Sequence, residues 1–162
     1  MKSRLLHLLF EIVLIGMVSW ITINHLFGII QIQDNSMYPK LMAGDLLVYS
    51  RLEKNYYVGD VVSVMVGKEE YILRVVAQGG DTVEFTEDGF FVLNGQTQYE
   101  EIMQKTVALE NSDIEYPYQI PTGSYFLLGD ARIDCADSRL FGAISGKQVN
   151  GKVIGCFRHR KF

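Results

Sequence analysis

The chain has 162 residues, 48 % of them hydrophobic and 21 % charged, with 15 Lys+Arg against 19 Asp+Glu for a net charge of −4. This composition excludes a disordered chain, and the negative balance argues against a nucleic-acid partner, whose phosphates call for the opposite sign. Two cysteines, Cys135 and Cys156, show neither C-x-x-C nor Cys/His metal spacing, so buried free thiols are the simpler reading and a pairing in an exported domain the alternative.

Residues 1–11 read as a short cytoplasmic tail carrying Lys2, Arg4 and Glu11. Residues 12–30, IVLIGMVSWITINHLFGII, contain no Asp, Glu, Lys or Arg. A helix of that length spans roughly 28 Å, close to the hydrocarbon thickness of a bilayer. No small-x-small site follows it, which favours a retained anchor over a cleaved leader. The basic residues before it predict a single pass with the amino end in the cytoplasm and the main domain, residues 31–162, outside.

That domain reads as mainly β. Short runs rich in β-branched and aromatic residues recur at 46–50, 61–66, 71–77, 82–85, 90–95, 124–129 and 152–158. Gly-Asp or Asn-Gly pairs punctuate them, the pattern of antiparallel strands joined by tight turns. Asn94-Gly95 is the strongest hairpin signal. Residues 96–118 are polar and acidic without alternation and read as an insertion with a short helix and loop. The basic residues Arg158, Arg160 and Lys161 read as a solvated or membrane-facing end. No metal or nucleotide motif is present, so no cofactor is expected.

Three stretches carry chemistry. The first is Ser36-Met37-Tyr38-Pro39-Lys40-Leu41, six residues past the apolar run. A chain covers at most about 20 Å in that distance, so a nucleophile there would work beside the membrane. The second is Tyr71-Ile72-Leu73-Arg74-Val75-Val76 with Gly79-Gly80-Asp81. The third is Gly129-Asp130-Ala131-Arg132 with Asp137-Ser138-Arg139-Leu140-Phe141-Gly142. In this order and spacing, behind one amino-terminal anchor, they resemble the boxes of type I signal peptidases in their Gram-positive form. The resemblance covers nearly the whole chain and is vaguest over 96–118.

It implies a fold of two antiparallel sheets and cleavage of signal peptides from exported precursors after a small-x-small pattern. The substrate would add as a strand in a groove bordered by Met37 and Pro39. Ser36 falls at the nucleophile, and a buried neutral lysine normally takes its proton. Asp130, Asp137, Ser138, Arg139 and Arg74 fall at positions that support the site, with Arg74 expected to pair with Asp137 or Asp130.

The sequence departs from the pattern where chemistry is concentrated. The lysine position is Leu73, which cannot accept a proton. Asp34 stands where the family has Ser or Gly, whose serine hydroxyl assists the oxyanion hole together with the Ser36 N–H. A carboxylate there opposes a developing negative charge. Ala131 replaces an asparagine, and Cys135 a small polar residue. General-base assistance is worth typically 10²–10⁴-fold and an oxyanion donor 10²–10³-fold. The expected function is therefore a membrane-anchored family member that binds exported precursors with little or no cleavage, in a binding or assembly role such as that of surface pilus or fibre systems. The alternative is an active serine endopeptidase using Asp34, Lys40 or Lys68 as base; Asp34 would share a face with Ser36 if the segment were extended. An autoproteolytic repressor of related Ser/Lys design would need a DNA-binding amino terminus, where this chain has an apolar segment.

Overall fold

The computed structural model describes residues 2–99, 104–109, 112–133 and 135–158. It opens with helix α1, Lys2–Leu26, of which Leu6–Leu26 is apolar and long enough to cross a membrane and buries nothing against the rest of the chain. The helix stops short of the expected residue 30. Phe27–Gln31 forms strand β1 instead, pairing antiparallel with β2, Leu46–Ser50. Gly28 explains the switch: a Cβ there would collide with the Tyr49 ring, so glycine lets β1 lie flat on β2.

The expected strands follow: β3 (Val61–Val66), β4 (Glu69–Gln78), β5 (Thr82–Phe85), β6 (Phe91–Leu93), β9 (Ser124–Leu128) and β11 (Val149–Phe157). Three short ones were not expected: β7 (Gln96–Gln98), β8 (Tyr118–Gln119) and β10 (Ile144–Ser145). Asn94 and Gly95 both take positive φ, 52° and 77°, the turn that matches the twist of the β6–β7 hairpin. Within 96–118, the described residues contain β7 and β8 but no helix; 100–103 and 110–111 fall outside the description. A four-residue helix α2, Ser138–Phe141, is capped by Asp137, and a 3₁₀ turn, Gly146–Gln148, leads into β11.

The strands make two antiparallel sheets, as expected. One has the order β1-β2-β11-β3-β4-β9-β10, the other β7-β6-β5-β8. Val76, Ala77, Phe126 and Leu128 of the first sheet meet Val83 and Phe91 of the second in one apolar cluster. A second cluster gathers Val62, Val64, Leu73, Val75, Leu127 and Cys135. A third seats Ile32, Met37, Leu47 and Ile72 under the loop that carries the serine.

The long strand β4 changes partners along its length. β3 covers its whole first part, from Glu69 to Arg74. β9 reaches its other edge only from Arg74 onward. Among the described residues, the second edge of residues 69–73 therefore has no strand partner. β1, at the end of the sheet, pairs only with β2.

Candidate active site

Ser36 lies in a loop held from both sides. Its carbonyl accepts the Ala131 N–H at 2.8 Å, Tyr38 N–H donates to the Asn35 carbonyl at 3.0 Å, and Leu41 N–H donates to Met37 at 3.0 Å. Met37 anchors the loop with no exposed surface. That corrects its assignment to the substrate groove. The chain turns at this point rather than running extended, so Met37 points into the apolar pocket of Ile32, Leu47 and Ile72. Pro39, behind a cis peptide bond, is exposed.

Asp34 is the direct neighbour of the serine. One oxygen, Oδ1, accepts the Ser36 hydroxyl at 2.7 Å and the Ser36 N–H at 3.0 Å. The pair arises from a carboxylate reaching the N–H two residues on, the local habit of Asp in turns. It does not arise from a shared strand face. Both donors of Ser36 that acyl transfer would use thus go to one carboxylate.

Leu73, where the sequence pattern leads one to expect the base, is fully buried in the cluster with Val64, Val75 and Cys135. Gly129 joins that cluster to the serine. A Cβ on Gly129 would lie 2.7 Å from the Ser36 carbonyl and would collide with Cys135 Sγ. Only glycine allows the serine loop, Cys135 and β9 to meet here. Burial pushes the Cys135 thiol up to about 12, so it is no substitute nucleophile at neutral pH. Cys156 is exposed rather than buried, and both thiols are free.

The Ser36 hydroxyl and N–H go to Asp34 and not to Lys40 or Lys68. Lys68 is at the β3–β4 turn, five strand residues from Leu73, or roughly 17 Å along the strand. Lys40 borders a different hollow, with Asp60, Arg74 and Lys152.

The supporting residues form a well-satisfied frame. Arg74 clasps Asp130 with Nε–Oδ1 and Nη2–Oδ2 at 2.7 and 2.6 Å, one of the two expected partners. Asp137 and Arg139 are fully buried and paired at 2.9 Å through two nitrogens. Arg139 also donates to the Arg132 and Val107 carbonyls. Ser138 accepts the Leu127 N–H at 2.9 Å, and Asp137 accepts that of Gly129. Thr106, which no motif marked, accepts from Arg132 at 2.9 Å and ties residues 104–107 to the frame. Arg158 is not a free basic end: it clamps buried Asp45 at 2.6 Å and the Lys40 carbonyl at 3.0 Å. Arg160 and Lys161 lie outside the described residues.

Beside Ser36 runs a groove of about 650 Å³, between residues 29–34 on one wall and 69–72 on the other. These walls are the edges of β1 and β4 that face no strand. An extended peptide laid there would find backbone donors and acceptors on both sides.

Comparison with known proteins identifies the family and the fold. The family described as signal peptidase, peptidase S26, matches residues 5–157. Signal peptidase IB of Staphylococcus aureus is 30 % identical over 175 aligned positions, covering 94 % of this chain and 89 % of that protein. Signal peptidase I of Bacillus caldolyticus is 30 % identical over 138 positions, covering 75 % of this chain and 74 % of that one. A crystal structure of a signal peptidase I from Enterococcus faecalis shares the fold with a TM-score of 0.53 at 23 % identity, over 62 % of this chain and 97 % of that one. With the family model matching nearly the whole chain and a relative 30 % identical across most of both chains, the chain belongs to the signal peptidase family, peptidase S26.

Proposed function

We propose that this protein is a membrane-anchored precursor-binding member of the family that does not cleave at an appreciable rate. The observation that carries this reading is Leu73, without exposed surface in an apolar cluster at the position of the general base. Acyl transfer from serine needs a group that takes the hydroxyl proton, and leucine has no lone pair. The Asp34 contacts add to the deficit. The Ser36 N–H that would steady an oxyanion is already given to Asp34, and a negative charge there destabilises the oxyanion itself.

The groove is the part of the site that stays serviceable. An exported precursor would bind as an added strand between the β1 and β4 edges, close to where its own apolar segment leaves the bilayer. Lys2 and Arg4, before the apolar span Leu6–Leu26 of α1, orient the amino end to the cytoplasm and the β domain to the far side. A role in holding or assembling surface fibre or pilus subunits is compatible with such a binder.

One observation favours a second reading. The 2.7 Å contact from Ser36 Oγ to Asp34 Oδ1 is within proton-transfer distance, so Asp34 is the base of an active enzyme in that case. Carboxylates as a class are weaker bases than amines, which places this reading second. The test is processing of an exported preprotein by the lipid-embedded protein, with Ser36→Ala alongside. No processing by either, with the precursor retained, is the expected result. Processing by the parent that Ser36→Ala removes would establish the second reading.

A further inference from the structure

The groove beside Ser36 has a one-sided charge. Asp34 stands at the serine end of one wall and Glu69 on the other, and the walls offer no lysine or arginine. Tyr71 lies with them on the groove wall, and its hydroxyl donates to Glu69 at 2.6 Å. The Tyr71 phenol is pushed up by that hydrogen bond first, with burial and the charges of Glu69 and Asp34 adding. Both carboxylates thus act on the same ring. Glu69 receives the Tyr71 hydroxyl, and Asp34 receives the two Ser36 donors. Among the described residues, the ion pairs involve neither Asp34 nor Glu69.

The two unpaired strand edges specify an extended peptide, and the charges specify what it carries. We infer that the groove selects a peptide strand bearing a lysine or arginine side chain, seated at the Glu69–Tyr71 pair with Asp34 on the facing wall. A cation there gains two carboxylates and, where it lies over the ring, the face of Tyr71. The small-x-small pattern of the cleaving family needs no such charge. The occupant is thus a basic segment of an exported protein. This inference rests on the reading of the groove as a strand-binding site.

The test is binding of a capped, labelled heptapeptide with one central lysine on a valine–alanine background, against its norleucine counterpart, to the full chain in lipid nanodiscs. At low salt the lysine peptide is expected to bind about 5- to 10-fold tighter, the scale of two partly exposed ion pairs. The advantage should shrink with added salt. It should vanish in the double variant Asp34→Asn, Glu69→Gln and persist in Glu84→Gln, on the solvent side of β5. Equal binding of the two peptides overturns the charge selection and leaves the groove reading intact. Failure of both to bind overturns the groove reading and this inference with it. A lysine advantage that survives the double variant locates the selection elsewhere and also overturns it.

Discussion

Two halves of the site differ in how well their polar groups are served. In the frame, Asp137 and Arg139 are buried without exposed surface: Asp137 accepts from Arg139 and Gly129, and Arg139 also donates to the Arg132 and Val107 carbonyls. At the serine, the base position is apolar and one carboxylate holds both Ser36 donors. The frame ties β9, α2 and residues 104–107 together, whereas the Ser36 donors make contacts local to residues 34–36.

The comparison can be broken by stability measurements. Arg139→Ala leaves Asp137 as an unpaired buried charge and should cost about 3–5 kcal/mol in denaturant unfolding. Ser36→Ala should cost only about 1 kcal/mol, the scale of a hydrogen bond. Equal losses would mean that the serine loop is as structural as the frame. Gly129→Ala probes the seam between the halves. Its methyl would press on the Ser36 carbonyl and Cys135, for an expected loss of about 1–3 kcal/mol, the scale of overpacking.

A separate effect concerns pH. The Arg158 guanidinium holds the Asp45 carboxyl down to about 2, whereas an unfolded aspartate titrates near about 3.9. The unfolded chain therefore takes up the proton first. The clamp's contribution is complete above about pH 4 and is lost as pH falls toward about 2. Unfolding curves followed across that window should show this component in the parent and lack it in Asp45→Asn.

Much of this was legible in the sequence, for identifiable reasons. Apolar and β-branched runs with turn pairs between them stood out, even where the strand is as short as β5 or β6, because Gly-Asp and Asn-Gly mark their ends. β7, β8 and β10 have two or three residues each and carry no period. β1 was hidden because FGII continues the apolar run of α1, and only the fit of Gly28 on Tyr49 separates them. The Ser36–Asp34 proximity was foreseen for the wrong reason, as a strand face rather than a turn. Met37 turned inward because the loop bends immediately after the serine. Thr106 and the Arg158–Asp45 clamp join residues far apart in sequence, which no local pattern records. The acidity of the groove required knowing that residues 29–34 and 69–72 face each other.

The account's central claim is that cleavage is missing because Ser36 has no base and its donors are held by Asp34. The most direct measurement restores both in one protein: Leu73→Lys with Asp34→Ser, assayed for processing of an exported preprotein beside the parent and the same pair carrying Ser36→Ala. The account predicts no processing by the parent, processing by the double variant, and its loss when Ser36 is removed. Processing by the parent that the double variant does not increase would contradict it.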